Sequence, residues 1–371
     1  MKKTLIIHIG WHKTATTVIQ LYLANCREKL RKYDICYPAI DNQTGYGRIK
    51  HSDLLVSVFN ELHPRYKRSA IRPFSELFEL SVKEINDSKC RWAVLSEEGF
   101  SMENPGISKL MGRYKEYFDE IKIVAYVRRQ DYFFESFHSQ VVKQSVTRDT
   151  KNLDAFLSHP GIKKRADYAL ILDWWAAEFG KENILVAPFE RQTVVPDPLT
   201  YFFNLAGLPT KIFDEFPLEK IQAHNSPPRE VTEFFRYLNM KGVDFHEKAL
   251  CGYLLKSGAT LTDTKYFGRA ERERILREYG SSNERVAREY LNRENGVLFE
   301  EPVREYLNCP ETWTGLTPED VLDYAMPVIG MMSFEISRLR NENQRISIFK
   351  KKISNFLDKI YRRMIKKHGN S

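Results

Sequence analysis

The sequence TLIIHIGWHKTATT, residues 4–17, joins a short apolar run to a loop of small, basic and hydroxyl-bearing residues. Residues 4–9 predict a buried β-strand, because the run is short, apolar and rich in isoleucine. Residues 10–17 predict a tight loop, and residues 18–32 predict a helix. A strand, a small-residue loop and a helix in this order begin a βαβ unit, so the segment predicts an α/β fold.

Further strands and helices alternate along the first half of the chain. The predicted strands are residues 91–95, 121–127 and 183–187, and the predicted helices are residues 74–86, 107–118, 131–144 and 168–179. This alternation predicts a mostly parallel, P-loop-like sheet flanked by helices, followed by a mainly helical C-terminal part. In such sheets ligands bind beyond the carboxyl ends of the strands, so we expect the polar residues there to share one crevice.

Charge and cysteine content narrow the class of protein. The net charge is +8, and residues 345–371, with nine lysines and arginines and one acid, account for all of it. A nearly neutral body argues against a large nucleic-acid-binding face. Five cysteines without a CxxC pair argue against a disulfide framework or a zinc site and favour a reducing compartment. With no apolar run approaching the ~20 residues that cross a bilayer, we expect a cytoplasmic protein.

The loop after the first strand predicts an anion site. Its candidate residues are Gly10, His12, Lys13, Thr14, Ala15, Thr16 and Thr17. Main-chain N–H groups at a helix N-terminus attract anions, Lys13 adds a positive charge, and the threonines add hydroxyl donors. The alternative is an ordinary turn in which the threonines only cap the helix. The loop departs from GxxxxGK[ST], because His12 stands in place of the second glycine, and this weakens an ATP or GTP assignment.

A second group of phosphate-binding residue types follows the predicted strand 121–127. Arg128 and Arg129 come directly after the strand, and Ser136 lies in the next predicted helix. An arginine binds a phosphate through two parallel hydrogen bonds, and a serine hydroxyl adds a third. Taken alone, these residues are equally compatible with a surface arginine pair and an ordinary helix serine.

Together the two segments resemble the sulfotransferases that use 3′-phosphoadenosine 5′-phosphosulfate (PAPS). The resemblance lies in Lys13 and the threonines of the first loop, and in Arg128 with Ser136 eight residues later. It implies that the first loop holds the 5′-phosphosulfate and that Arg128 and Ser136 hold the 3′-phosphate. The first loop is most similar to the bacterial branch that sulfates carbohydrates and other hydroxyls. Ala15 stands where that branch commonly has glycine, which accepts a positive φ more readily.

The resemblance also implies a domain organisation. We expect a sulfotransferase domain at residues 1–330, with a nucleotide-binding core at 1–190 and a helical acceptor and lid region at 191–330. Residues 331–371 predict a basic amphipathic helix, since apolar residues recur there every three or four positions. Such a tail suits an anionic membrane surface at the inner membrane face, a second copy of the chain, or packing on the body with a solvated basic face.

Transfer to a hydroxyl needs positive charge on the leaving phosphate and a base near the acceptor. Lys13 supplies the charge without a metal. Glu97 follows the second predicted strand, where the resemblance places a catalytic glutamate or histidine, and Glu98 is adjacent. Neighbouring carboxylates raise one another's pKa, which suits a base. The alternative is that this pair only caps the next turn, and His51 is a second candidate for the base.

The sequence therefore predicts an enzyme that transfers a sulfuryl group from PAPS to an acceptor hydroxyl. A carbohydrate or glycan is the expected acceptor, and neither a metal nor a nucleic acid is expected. The alternative is a nucleotide-dependent kinase or phosphotransferase with a divergent P-loop. That enzyme would need a glycine before Lys13 and an acidic magnesium ligand, for which Glu97 is a weak candidate. A membrane-attached protein without activity ranks lower, because both groups of phosphate-binding residues are complete.

Overall fold

A five-stranded parallel sheet forms the centre of the fold. The computed structural model describes residues 2–40, 49–66, 71–144, 147–217, 227–256, 265–303 and 315–342. The strands are β1 Thr4–His8, β2 Ile35–Cys36, β3 Trp92–Ser96, β4 Glu120–Val127 and β5 Ile184–Pro188. All neighbouring strands are parallel, in the order β2-β3-β1-β4-β5. The predicted α/β class is confirmed, and β1 occupies the middle of the sheet.

Helices connect the strands and continue through the C-terminal half. The first group is α1 Thr16–Asn25, α2 Arg27–Arg31, α3 Ser52–Leu62, α4 Phe74–Ser88, α5 Gly106–Met111, α6 Gln130–Lys143, α7 Leu153–Leu157, α8 Pro160–Ala166 and α9 Tyr168–Phe179. The second group is α10 Pro198–Ala206, α11 Ile212–Glu215, α12 Arg229–Met240, α13 Glu247–Lys256, α14 Arg269–Glu278, α15 Gly280–Leu291 and α16 Pro318–Glu342. The described part of the C-terminal half is mainly helical, as predicted.

Both faces of the sheet are covered, which explains why its strands read as continuous apolar runs. Leu5, Ile6 and Ile7 alternate between the two faces of β1, and all three are fully buried. The Ile6 face packs against α1 and α10 in one apolar cluster. Its members include Ile6, Ile19, Leu23, Val124, Tyr126, Ala187, Phe202 and Phe203.

The strand register brings three loops to one edge of the sheet. His8, the last residue of β1, is paired with Ser96 of β3 and Val124 of β4. The main chain continues these contacts past the strand ends, since Glu97 N–H donates to the His8 carbonyl (3.1 Å). The loops after β1, β3 and β4 therefore leave the sheet side by side, at the edge where the sequence predicts a ligand crevice.

Some helix predictions differ from the structure. The helix expected at 18–32 is divided into α1 and α2, because the main chain leaves helical geometry at Cys26 (φ −103°, ψ 12°). The helix expected at 107–118 is α5 followed by a 3₁₀ segment, Gly112–Glu116. In the weakly patterned stretch 41–73, sequence reasoning missed α3.

The chain groups into two compact units. The first comprises Met1–Phe137, Asp154–Asn225 and Arg269–Glu305, and it contains the sheet; the second comprises His138–Leu153, Ser226–Gly268 and Tyr306–Ser371. The second unit has its own apolar cluster, which includes Val142, Val231, Phe234, Phe235, Leu250, Leu254, Leu316 and Val328. The predicted domain boundaries stay predictions. Most of the predicted basic tail, from residue 343 on, lies outside the described residues.

Candidate functional site

The loop between β1 and α1 has an unusual main-chain conformation. Lys13 and Ala15 have φ values of 69° and 60°, in the left-handed region. A non-glycine residue in this region costs about 1–3 kcal/mol, so other contacts must stabilise the loop. The Thr14 hydroxyl donates to the Trp11 carbonyl (2.6 Å), and Val18 N–H donates to the Ala15 carbonyl (2.9 Å). Ala15 thus has a positive φ, a conformation that glycine adopts more readily than alanine.

Gly10 allows the loop to leave β1 in close contact with its neighbours. A Cβ atom at this position would lie 2.8 Å from His8 Nε2 and 3.0 Å from Thr16 Oγ1. His8 is fully buried, and burial lowers the pKa of its imidazole to about 4. The imidazole is therefore neutral at neutral pH, and its Nδ1 lies 2.9 Å from Ser96 Oγ.

The N-terminus of α1 has no side-chain cap. Ala15 is the N-cap residue, and the hydroxyls of Thr14 and Thr16 instead approach the Trp11 carbonyl at 2.6 and 3.5 Å. The side chain of Thr17 is exposed. The structure therefore contradicts the alternative in which the threonines only cap the helix. The first N–H groups of a helix have no partner within it, so an uncapped end suits an anion.

His12 contributes a neutral ring to this loop. Its imidazole stacks on Phe137, with 4.7 Å between ring centroids and 10° between the planes. Arg165, which binds Glu103 at 2.8 Å, lies over the same phenyl ring at 5.1 Å. Burial, and next the charge of Arg165, lowers the pKa of His12 to about 3. His12 therefore adds a hydrogen-bonding nitrogen to the loop and no charge at neutral pH.

Arg128 links the two segments that the sequence predicts to bind phosphate. Its Nη1 donates to the Lys13 carbonyl (2.9 Å), and the Tyr168 hydroxyl donates to the Arg128 carbonyl. Burial lowers the pKa of Arg128, but its ordinary value is so high that the side chain stays charged at neutral pH. The contact uses one of the five guanidinium N–H groups and fixes the side chain beside the Lys13 main chain.

Ser136 and Arg129 are engaged by the protein itself. Ser136 lies in α6 and is buried, and its hydroxyl donates to the Tyr132 carbonyl (2.6 Å) with the Phe133 carbonyl also in reach (3.1 Å). It would have to turn this hydroxyl away from its own helix to donate to a phosphate. Arg129, only 3% exposed, binds both carboxylate oxygens of Asp131 at 2.8 and 3.0 Å.

Arg129 belongs to a buried group of two arginines and two acids, here called the balanced cluster: Arg129, Asp131, Glu135 and Arg272. Arg272 is fully buried and binds Asp131 Oδ2 and Glu135 Oε2, each at 2.8 Å. Burial alone would raise the pKa of Asp131, but the hydrogen bonds and charges of the two arginines outweigh it and lower the pKa. The cluster is formally neutral, which suits a structural role.

A different charged group lies at the end of β3, here called the acidic cluster: Lys50, Glu97 and Glu98. Lys50 Nζ lies 3.2 Å from Glu97 Oε1 and 2.7 Å from Glu98 Oε1. Gln20 Nε2 donates to the other oxygen of Glu98 (3.2 Å). Glu97 is 2% exposed, so its charge has little access to water. One ammonium between two carboxylates leaves this cluster with a formal charge of −1 when both acids are ionised.

The two acids of this cluster differ in proton affinity. Burial, and next the charge of Glu98, raises the pKa of Glu97 to about 7. Burial would also raise the pKa of Glu98, but the shorter contact with Lys50 outweighs it and lowers the pKa. Glu98 is therefore ionised at neutral pH, while Glu97 exchanges its proton near neutrality. A base whose pKa lies near the working pH is suited to proton transfer.

Glu97 also has a capping role. It is the N-cap of the 3₁₀ segment Glu98–Ser101, and its Oε1 accepts from Gly99 N–H (3.1 Å). Its Oε2 accepts from the Ser52 hydroxyl (2.7 Å) at the start of α3. The capping alternative from the sequence is thus correct for one oxygen, and the carboxylate is held rigidly as a result.

His51 is bound by main-chain groups at both ring nitrogens. Ser96 N–H donates to Nδ1 (2.9 Å), and Nε2 lies 3.1 Å from the Pro38 carbonyl. This pattern assigns the proton to Nε2. Burial lowers the pKa of His51 to about 4. The geometry therefore favours Glu97 over His51 as the base, because neither nitrogen of His51 is left for an acceptor proton.

The acidic cluster and the first loop lie at the same edge of the sheet. Besides the main-chain contact between Glu97 and His8, the charges of Glu98, Lys50 and Lys13 all act on the pKa of His12. Sequence reasoning missed Lys50 and Ser52. Their only signal is three consecutive polar residues, 50–52, directly before the apolar positions of α3.

Within the described ranges, no group of three or more His, Cys, Asp or Glu side chains is placed to hold a metal ion. In the same part of the chain, none of the helices combines the length and apolar character that crossing a bilayer requires.

The solved structures that are similar to this chain include two sulfotransferases. No protein-family model and no curated protein matches the sequence. A sulfotransferase from Alicyclobacillus acidocaldarius is similar at 17% identity and a TM-score of 0.40, over 66% of this chain and 97% of the other. A sulfotransferase domain from the curacin biosynthetic pathway is similar at 12% identity and a TM-score of 0.34, over 75% of this chain and 97% of the other. At these values the likeness carries no conclusion about activity.

Proposed function

We propose that the protein is a sulfotransferase that moves a sulfuryl group from PAPS to a hydroxyl of a carbohydrate acceptor. One observation carries the proposal: Arg128 is hydrogen-bonded to Lys13 at the uncapped start of α1, on the sheet edge where the buried carboxylate of Glu97 also lies. Two cations, an anion-binding helix end and a base near neutrality are the parts that such a transfer needs.

The hydrogen-bond donors and cations of this site suit a nucleotide that has phosphate groups at two separate positions. Lys13, the N–H groups at the start of α1 and the threonine hydroxyls would hold the 5′-phosphosulfate, in agreement with the sequence resemblance. Arg128 would hold the 3′-phosphate with its remaining N–H groups, together with Ser136 once its hydroxyl turns. His12 is neutral, so it would add a hydrogen bond without a further charge.

In the proposed reaction one bond to sulfur forms while another breaks. The acceptor oxygen forms a bond to sulfur, and the bond between sulfur and the bridging phosphate oxygen breaks. Glu97 takes the acceptor's hydroxyl proton, and 3′-phosphoadenosine 5′-phosphate leaves with the negative charge that Lys13 stabilises. Because charge develops on that phosphate during transfer, fixed positive groups contribute most to the rate.

The acceptor class rests on the resemblance of the first loop to the bacterial carbohydrate branch. Acceptor binding is assigned to residues 191–330, whose described helices α10 to α15 follow the sheet. For residues 331–371 we keep contact with an anionic membrane surface, or with a second copy of the chain, as proposals. Both depend on a segment that lies mostly outside the described residues.

The test is product formation from PAPS. The protein is incubated with PAPS and a panel of mono- and oligosaccharides, aliphatic alcohols and phenols, and the mixture is read by mass spectrometry. We expect sulfated carbohydrate and an equal amount of 3′-phosphoadenosine 5′-phosphate, with both lost in Glu97→Gln. Sulfation of phenols alone would overturn the acceptor class, and phosphorylated products from ATP would favour the kinase.

A further inference from the structure

The two oxygens of the Glu97 carboxylate have different surroundings. Oε1 receives the Lys50 ammonium (3.2 Å) and Gly99 N–H (3.1 Å), whereas Oε2 receives the Ser52 hydroxyl (2.7 Å). A carboxylate oxygen has about two lone-pair positions. Among the described residues, both positions on Oε1 are therefore used, and one position on Oε2 is left for an incoming proton.

The charged groups around Glu97 come from several elements. Lys50 lies just before α3, Glu98 is the next residue along the chain, and His12 in the first loop lies close enough to Glu98 to shift its pKa. Besides burial, the charges of Glu97 and Glu98 also raise the pKa of the Tyr37 phenol. Tyr37 and His12 are both neutral at neutral pH, which leaves Lys50 as the cation of this described group.

A single lysine neutralises only one of two neighbouring carboxylates. Lys50 lies closer to Glu98 (2.7 Å) than to Glu97 (3.2 Å), so Glu98 keeps its charge and Glu97 is the acid that accepts a proton. Uptake of that proton changes the cluster from a formal charge of −1 to neutral. In a buried site a neutral cluster is favoured, because an uncompensated charge loses its hydration.

We propose that Lys50, Glu98 and Ser52 are positioning residues that make Glu97 a one-sided base, which takes the acceptor's proton at Oε2 while Lys50 and Gly99 N–H hold Oε1. This inference rests on the proposed function. Lys50 and Glu98 set the proton affinity with opposite signs: the ammonium favours ionised Glu97, and the second carboxylate opposes it. Ser52 orients the oxygen that receives the proton. After each turnover the proton must leave Oε2 for solvent before the base acts again.

The test follows the Glu97 carboxyl directly. Protein labelled with ¹³C at the glutamate carboxyl carbon is titrated by NMR without any nucleotide, and Glu97→Gln assigns the signal. Lys50→Met is expected to raise the Glu97 titration midpoint by about one to three pH units, and Glu98→Gln to lower it by a similar amount. Lys50→Arg keeps the charge, so its midpoint is expected to stay close to that of the wild type.

The two variants are expected to shift the Glu97 titration midpoint in opposite directions, and this distinguishes a positioning role from a merely structural one. A general loosening of the site would move the midpoint of Lys50→Met and Glu98→Gln in the same direction, and that result would overturn the proposal, as would no shift in either. If Lys50→Met fails to fold, Glu98→Gln and Lys50→Arg decide the matter, since both variants keep a cation beside Glu97. The double variant Lys50→Met/Glu98→Gln is expected to return toward the wild-type midpoint.

The kinetics of Ser52→Ala test whether Oε2 of Glu97 is the oxygen that takes the proton. With the acceptor found by the PAPS experiment, Ser52→Ala is expected to lower kcat more than it raises KM and to raise the pH at which activity reaches half its maximum. Unchanged kcat in Ser52→Ala would overturn the assignment of Oε2. The carboxyl titration needs no donor, so it fails or succeeds independently of whether PAPS is the substrate.

Discussion

The acidic cluster and the balanced cluster are both buried groups of charged residues in the first unit, yet they differ in charge balance. In the balanced cluster two arginines meet two acids, and Arg272 lies between Asp131 and Glu135 with no exposure. In the acidic cluster one lysine meets two acids. The comparison suggests that burial of charge alone does not mark a candidate site. An excess of one sign of charge does so better, because it moves a pKa toward neutrality.

The same contrast separates two neighbouring arginines after β4. Arg129 turns into the balanced cluster and also donates to the Glu301 carbonyl (2.8 Å). Arg128 turns to the first loop, where its described hydrogen bond is to the main-chain carbonyl of Lys13. The carboxylates of Asp131 and Glu135 act on Arg128 through their charge. An arginine bonded only to a neutral carbonyl keeps its charge available for an anion, whereas an arginine paired with a carboxylate does not.

Glu97→Gln is expected to have the largest effect on activity. Loss of a general base lowers turnover by about 100- to 10,000-fold. Stability should be retained, because glutamine preserves the contacts to Ser52 and Gly99 and removes a buried charge. Turnover of PAPS with the identified acceptor measures the first effect, and urea unfolding measures the second.

Glu135→Gln is the matched control from the balanced cluster. It removes one acid from a pair with Arg272, so it should reduce stability and have a much smaller effect on turnover than Glu97→Gln. A loss of turnover equal to that of Glu97→Gln would contradict the division between the two clusters.

Arg272→Met is expected to have the largest effect on stability. It leaves Asp131 and Glu135 buried with one partner fewer, and breaking a buried ion pair on one side costs about 3–5 kcal/mol. The free energy of unfolding from urea titration provides the measurement. A change below about 1 kcal/mol, the size of an exposed ion pair, would show that the cluster does not stabilise the fold.

Smaller effects are expected in the pH dependence of stability, where Glu97 and the buried histidines act in opposite directions. Glu97 has a folded pKa of about 7, above its ordinary value, so its contribution is complete below that ordinary value and is lost as pH rises through 7. The buried histidines His8 and His51 act in the opposite direction: their contribution is present above their ordinary pKa and is lost as pH falls through about 4.

Comparing the pH dependence of the unfolding free energy between the wild type and Glu97→Gln isolates the contribution of Glu97. As pH rises between the two pKa values of Glu97, the unfolding free energy of the wild type should fall relative to the variant by about 1.4 kcal/mol per pH unit. Urea unfolding at a series of pH values checks this slope. A slope of the opposite sign would mean that Glu97 is ionised throughout and is not the base.

Arg285→Ala is expected to have the smallest effect on the free energy of unfolding. Arg285 binds Asp173 at 2.9 Å, but both side chains are well exposed, at 49% and 38%. Water and salt screen such pairs, so we expect a loss of only about 0.2–1 kcal/mol, which decreases further in high salt. A loss as large as that of Arg272→Met would contradict the expectation that buried ion pairs contribute more to stability than exposed ones.

The fold could be read from the sequence where the pattern was local. The runs at β1, β3, β4 and β5 are apolar on both faces, and such strands are recognisable without knowledge of their neighbours. Helix α3 was missed although Leu54, Leu55, Val58 and Phe59 have helical spacing, because the polar residues before it obscured the pattern. The division between α1 and α2 has no local signal, since it depends on the main-chain geometry at Cys26.

The site could be read only in part. The sequence predicted Lys13, Arg128 and Glu97 as candidates because each follows a strand at the same sheet edge. The residue types alone did not distinguish Arg128 from Arg129, and only the resemblance favoured Arg128. The structure adds that Arg129 binds both carboxylate oxygens of Asp131 within the balanced cluster. Lys50 was missed because it lies far from Glu97 in sequence and meets it only in space.

Calorimetric binding of 3′-phosphoadenosine 5′-phosphate, with ADP as the comparison, tests the proposed sulfotransferase activity most directly. We predict that the wild type binds the bisphosphate roughly 10- to 100-fold more tightly than ADP, the worth of one charge-assisted contact. Lys13→Ala and Arg128→Ala should each lose this binding, while the exposed control Arg285→Ala keeps it. Absence of bisphosphate binding in the wild type, or tighter binding of ADP, would contradict the sulfotransferase assignment.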